Sequence, residues 1–141
     1  MTLAHSEVAR QLIELESFVT LCYARFDLRN RRVDFVDCGH TTTIHFHAST
    51  GTCALLQGEN LPLGVSEGEI YGQIRVPLHP QDVLLFYSDG LTETRNSAGE
   101  LFGIERLAKC VRTHGRLEPC SMIELANRKA RMFWTVSFPR E

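Results

Sequence analysis

Apolar positions recur at helical spacing near the start of the chain. Val8, Leu12 and Leu15 share a face, with Ala9 and Ile13 beside them, so residues 3–16 read as a helix that Thr2 is placed to cap. The period then changes. Residues 18–27 (Phe-Val-Thr-Leu-Cys-Tyr-Ala-Arg-Phe-Asp) are β-branched and aromatic and read as a strand. A polar turn at Leu28-Arg29-Asn30-Arg31 leads to a second strand, Val33-Asp34-Phe35-Val36-Asp37, and the two make a hairpin. Cys38-Gly39-His40 interrupts the pattern. Residues 42–48 and 52–57 read as another strand pair around Ser49-Thr50-Gly51, and residues 58–69, rich in Gly, Pro and Glu, as a loop. Ile70 to Leu78 alternates as a strand does. His79-Pro80-Gln81-Asp82 then turns into Val83-Leu84-Leu85-Phe86-Tyr87, an unbroken apolar run that predicts a strand buried on both faces.

Helical spacing returns after Gly103. Ile104, Leu107, Ala108 and Val111 share one face, and Gly115 is placed as a C-terminal cap. Pro119 suits the first turn of a last helix, whose buried stripe would be Met122, Ile123, Ala126, Ala130 and Phe133. The aromatic residues Phe18, Phe26, Phe35, Phe86, Phe133 and Trp134 are assigned to the core. Strands in the middle with helices outside predict an α+β domain built on antiparallel sheets.

Composition narrows the class. At 141 residues the chain is long enough for one domain, 1–141, with a real core, and 43% hydrophobic with 23% charged residues is a globular balance. A net charge of -2 gives no drive toward nucleic acid or a membrane surface. Cys22, Cys38, Cys53, Cys110 and Cys120 are unpatterned, which predicts reduced thiols and a cytoplasmic protein; no apolar run reaches membrane-spanning length.

The candidate chemistry centres on Asp89. It follows the apolar run directly, in Ser88-Asp89-Gly90-Leu91-Thr92-Glu93, so its carboxylate sits at a strand end, where a metal ligand can be held rigidly. The surrounding residues resemble a known family. Phe18-Val19-Thr20-Leu21, the Gly39-His40 step, Leu63-Gly64, the stretch Asp82 to Glu93, then Asn96, Gly99-Glu100 and Phe102-Gly103 match in order and spacing the bacterial SpoIIE/RsbU-type serine phosphatases, a branch of the metal-dependent PP2C (PPM) class. The resemblance covers residues 10–113 closely and the last helix loosely.

That resemblance implies a PP2C-like α-β-β-α sandwich of antiparallel sheets flanked by helices. It implies Mn²⁺ or Mg²⁺ ions held by aspartates, and a metal-bound water that attacks a phosphoserine or phosphothreonine. Hard divalent ions take oxygen ligands, which suits Asp. Two ions roughly 3.5–4 Å apart offset the charge of the phosphate. By motif Asp89 is a metal ligand, Gly90 permits the turn beside it, and Gly39 and His40 are structural neighbours of the site. No residue is assigned as catalytic. The implied partner is a phosphorylated regulatory protein such as an anti-sigma-factor antagonist.

The chain departs from the family where other aspartates are expected. Residues 1–17 contain no Asp, and none occurs after Asp89. The expectation is therefore the C-terminal portion of a phosphatase domain, incomplete at its N-terminus, with weak metal binding and an open sheet edge through which it could form a homodimer. The alternative is a non-catalytic regulatory module that keeps the fold and binds a partner.

Other polar residues have structural readings beside their functional ones. Gly39 reads as a left-handed turn residue and His40 as a hydrogen-bonding partner across the hairpin. His45 and His47 lie two apart on one strand face, where two imidazoles could bind Zn²⁺ only with a further ligand. Arg29, Arg31 and Arg32 crowd a turn that reads as a solvated hairpin tip. Asp34 and Asp37 lie in or beside the hairpin with no metal assigned to them. Cys38 has no activating base and is not a nucleophile.

Overall fold

The computed structural model describes residues 1–135. Its elements run α1 (Thr2–Glu14), β1 (Leu21–Asp27), β2 (Arg32–Cys38), β3 (Thr43–His47), β4 (Thr52–Leu56), β5 (Ile74–Pro77), β6 (Val83–Leu85), α2 (Asp89–Thr92), α3 (Gly103–His114) and α4 (Pro119–Thr135). Strands occupy the middle of the chain and helices its two ends, as the patterning predicts. The chain divides into two compact units, residues 1–42 with 57–78, and residues 43–56 with 79 onward.

The first unit holds an antiparallel sheet in the order β1-β2-β5. Its central strand β2 is buried from Val33 to Cys38, because it is flanked on both sides by hydrogen-bonded partners. Val36, Cys38, Leu63 and Tyr71 form a core, against which Leu12 of α1 and Leu21 of β1 pack.

Helix α1 buries a different face from the expected one. His5 and Ala9 are inside, whereas Val8, Ile13 and Leu15 are exposed. His5 sets this orientation: Nε2 donates to the Ser66 carbonyl at 2.7 Å, which leaves Nδ1 to accept from the Tyr71 hydroxyl at 3.2 Å. With both ring nitrogens satisfied, a polar residue takes a core position at little cost. Thr2 is not the cap; Met1 is, and the Thr2 hydroxyl accepts the Tyr71 N–H at 3.3 Å. The first strand begins three residues later than expected, and Val19 instead makes an isolated bridge with Leu63. Because β1 is an edge strand, Phe26 is half exposed, and Phe18, ahead of the strand, is 64% exposed; neither belongs to the core.

The second unit holds the antiparallel sheet β4-β3-β6. Ile44 and Phe46 alternate onto one face of β3 and meet Leu107 and Val111 of α3, and Met122, Ala126 and Ala130 of α4. The i, i+4 spacing within each helix gathers these side chains into one stripe. Fully burying a side chain such as Ile44 or Leu107, both 0% exposed, stabilises by about 1.5–3 kcal/mol.

Several details differ from expectation. The strand before Asp89 is three residues long, half-buried and at a sheet edge, so Val83–Leu85 is not covered on both faces and Phe86 is 38% exposed. On α4 the stripe passes through Leu125 rather than Ile123, which is exposed. Gly115 follows α3 with right-handed backbone (φ -62°), so it is not a left-handed cap. Glycine is needed there for space, because a Cβ would lie 2.7 Å from the Phe46 ring. The side chain of Trp134 falls outside the described residues.

Candidate functional site

Asp89 opens α2, directly after the extended residue Ser88 (φ -95°, ψ 158°). The turn is closed by backbone bonds from Leu91 N–H to the Ser88 carbonyl at 3.1 Å and from Glu93 N–H to the Asp89 carbonyl at 2.8 Å. Thr92 and Thr94 add hydroxyl donors to the carbonyls of Asp89 and Gly90. The backbone is thus held while the carboxylate stays exposed, accepting the N–H of Gly90 at 2.8 Å. A recess of about 340 Å³ beside it is lined by Ser88, Gly90, Leu91, Thr94, and by Asn127 and Arg131 of α4. Gly90 is not conformationally required: its φ is not positive, and the nearest atom to an added Cβ is the Ser88 hydroxyl at 4.0 Å.

The Gly39–His40 step is organised by Asp37, which sequence reasoning left without a role. The buried Asp37 carboxylate accepts the N–H of His40 at 2.8 Å through Oδ1 and the N–H of Gly58 at 2.8 Å through Oδ2. Asn60 Nδ2 donates to the Asp37 carbonyl at 2.7 Å, joining the loop again. Gly39 has φ +71° and stands so close to Pro62 that a Cβ would lie 2.6 Å from the proline ring. Both the left-handed conformation and the lack of space call for glycine there. His40 therefore belongs to the loop through its backbone N–H rather than through its ring. Cys38 is fully buried, and burial pushes its thiol pKa up, against any nucleophilic role.

His45 and His47 acquire the third partner that the sequence did not supply. Pairs Ile44↔Leu85, His45↔Leu84 and Phe46↔Val83, continued by one step, bring Asp82 opposite His47. His45 Nε2 lies 3.0 Å and His47 Nδ1 3.8 Å from Asp82 Oδ2. Asp82 also accepts the N–H of Ala48 at 3.0 Å and of His79 at 3.0 Å. Burial pushes the His45 pKa down, which keeps the ring neutral. Burial would raise the Asp82 pKa, but the His79 and Ala48 N–H groups together with His45 outweigh it and bring it below the ordinary value.

The five aspartates of the chain can be sorted by what they bind. Asp27 accepts from Asn30 and pairs with Arg32 at 3.4 Å, Asp34 pairs with Arg75 and Arg25 at 2.8 and 2.7 Å, and Asp37 and Asp82 are engaged as described. Asp89 alone among the five makes no hydrogen bond beyond its own turn, so it is the aspartate the fold leaves available. Among the described residues, the one group of three side chains close enough to share a metal ion is His45, His47 and Asp82, and Asp89 is not in it. Asp89 by itself does not fit a two-ion centre of the Mn²⁺ or Mg²⁺ type, which needs several oxygen ligands.

The two antiparallel sheets, their helices and the strand-turn motif at Asp89 define a PP2C-like phosphatase fold. The SiaA PP2C domain of Pseudomonas aeruginosa superposes with a TM-score of 0.76 at 20% identity, over 91% of this chain and 50% of that one. The phosphatase domain of the cell fate determinant SpoIIE from Bacillus subtilis, presoaked with Mn, gives 0.60 at 21% identity, over 99% of this chain and 60% of that one. By sequence, the phosphoserine phosphatase RsbU of Bacillus subtilis is 27% identical over 96 residues, which is 68% of this chain and 29% of RsbU. The SpoIIE family, described as stage II sporulation protein E, matches residues 1–132, and the chain belongs to that family. It spans less than a third of the length of RsbU.

Proposed function

We propose that the chain carries the Asp89 corner of a metal-dependent serine phosphatase site, acting on a phosphorylated regulatory protein such as an anti-sigma-factor antagonist. The observation behind this is the contrast among the aspartates: four are taken up by the fold, and the one in the family's strand-turn motif is held in place, exposed and beside a recess lined by Arg131. The divalent ion would be Mn²⁺ or Mg²⁺, with its other ligands supplied from outside these residues. The family match runs across both compact units, which supports reading the chain as part of one domain. A cytoplasmic location fits five cysteines that form no disulfide.

The test is Mn²⁺-dependent release of phosphate from a phosphoserine peptide by the full-length protein, wild type against Asp89→Ala. The expected outcome is a rate at least roughly tenfold to a hundredfold lower in the variant. Metal-dependent turnover that survives the substitution would remove Asp89 from the site. No turnover in the wild type would favour the second reading, a partner-binding module that keeps the fold, to which the isolation of Asp89 from other ligands already points.

A further inference from the structure

The cluster of His45, His47 and Asp82 is built from two elements that the fold brings together. The histidines lie on β3, at positions alternating with Ile44 and Phe46, which face the core. The aspartate ends the turn ahead of β6. The two imidazole rings are 4.0 Å apart between centroids, tilted by 48°. One ligand atom from each of the three side chains lies within 4.8 Å of the other two.

These separations suit a tetrahedral ion. Bonds of about 2.0–2.1 Å to nitrogen and oxygen at tetrahedral angles place ligand atoms roughly 3.3–3.4 Å apart. The observed 3.0 Å from His45 Nε2 to Asp82 Oδ2 and 3.8 Å from His47 Nδ1 to the same oxygen bracket that spacing. The third pair of ligand atoms lies within 4.8 Å, so the partly exposed His47 ring must move inward, by up to roughly an ångström, to close on the ion. The side chains of His45 and Asp82 are each 1% exposed, and that of His47 is 30% exposed. The cluster is therefore closed around His45 and Asp82 and reaches solvent at His47.

We propose that His45, His47 and Asp82 bind one divalent ion of the Zn²⁺ type, tying β3 to the turn that precedes β6. Two imidazoles with one carboxylate select a borderline ion such as Zn²⁺ over the hard ions Mg²⁺ and Mn²⁺. Asp82 is already oriented by the N–H groups of Ala48 and His79, the kind of outer support that ligating carboxylates have. On binding, the ion takes the Nε2 lone pair of His45 and the ring proton sits on Nδ1. That atom is buried without a hydrogen-bond partner, so the site is weaker than a closed structural zinc site. The proposal does not rest on the phosphatase reading and makes no use of Asp89.

The experiment is equilibrium dialysis of chelator-stripped protein against Zn²⁺, for the wild type, His47→Gln, Asp82→Asn and Asp89→Ala, with Co²⁺ as a spectroscopic substitute. His47 is partly exposed, so His47→Gln should keep the fold, which an unchanged far-ultraviolet circular dichroism spectrum would verify. The expected result is one equivalent of Zn²⁺ in the wild type and in Asp89→Ala, with affinity lower by roughly tenfold or more in His47→Gln and Asp82→Asn. Bound Co²⁺ should show d–d bands without thiolate charge transfer. Equal binding by wild type and folded His47→Gln, a thiolate band reporting a cysteine ligand, or no binding at all would each overturn the site.

Discussion

Asp37 and Asp89 both sit beside a glycine-containing step that carries the family resemblance, yet they do opposite work. Asp37 is 2% exposed and spends both carboxylate oxygens on backbone N–H groups of its own unit, those of His40 and Gly58. Asp89 is exposed and accepts only from the residue that follows it. A carboxylate whose lone pairs are consumed by the backbone shapes a loop and has little left for an ion. One held on a rigid turn, with its oxygens outward, can serve a ligand. The first carboxylate is thus a structural device and the second is left open to a ligand, although both read in the sequence simply as Asp near Gly.

The sharpest way to break this contrast is to delete both carboxylates. Asp37→Ala strands two half-buried backbone donors, at about 1–3 kcal/mol for each orphaned group. A loss of roughly 2–5 kcal/mol in denaturant-monitored stability is expected. Asp89→Ala should stay within about 0.5 kcal/mol of the wild type by the same measurement. Equal losses in the two variants would mean that the Asp89 turn, too, is built by its carboxylate.

A second contrast concerns glycines of the other unit. Gly115→Ala drives a methyl to 2.7 Å from the buried Phe46 ring and from the Val111 carbonyl, neither of which can swing away. Overpacking of this kind costs about 1–3 kcal/mol. A thermal midpoint unchanged by the substitution would show that α3 can shift on β3 to make room.

How far the sequence reveals this arrangement depends on the range of the interaction. Periodicity finds the three long helices and most strands, because burial of one face is a local signal; Leu107, Val111, Met122 and Ala126 are read correctly. It misplaces α1 because His5, a polar residue, is buried through bonds to Tyr71 and Ser66, far along the chain. Apolar composition overstates the cover on Val83–Leu85, since a strand's place in its sheet is not written in the strand itself. Asp89 is legible because its motif is contiguous. The roles of Asp37 and Asp82 are not, because their partners Gly58, His45 and Ala48 lie 21 to 37 residues away.

Acid should distinguish another aspartate. Hydrogen bonds from Arg75 and then Arg25 hold the Asp34 carboxyl at about 2, below its ordinary 3.8. A depressed folded-state pKa contributes stability that is present above the unfolded value and lost as pH falls through the folded one. Asp34 should therefore favour the fold above about pH 4 and lose that contribution between about pH 4 and pH 2. Asp34→Asn should flatten this part of the stability profile in acid titrations monitored by fluorescence. Both arginines are more than half exposed, so added salt should weaken the effect in the wild type.

The smallest expected change falls at Gly90, and it separates motif from mechanics. The glycine follows the aspartate in the most specific stretch of the chain, but it lies in a right-handed helical turn with open space where a Cβ would go. Alanine is the better residue in such a turn and restricts the unfolded chain, so Gly90→Ala should leave stability unchanged or raise it by up to about 1 kcal/mol. If stability rises while phosphate release by the full-length protein falls, the space at Gly90 is reserved for the substrate or ion beside Asp89. If stability falls instead, the turn must adopt another conformation in solution. In that case the exposed, outward carboxylate on which the contrast with Asp37 depends would not be the resting state of Asp89.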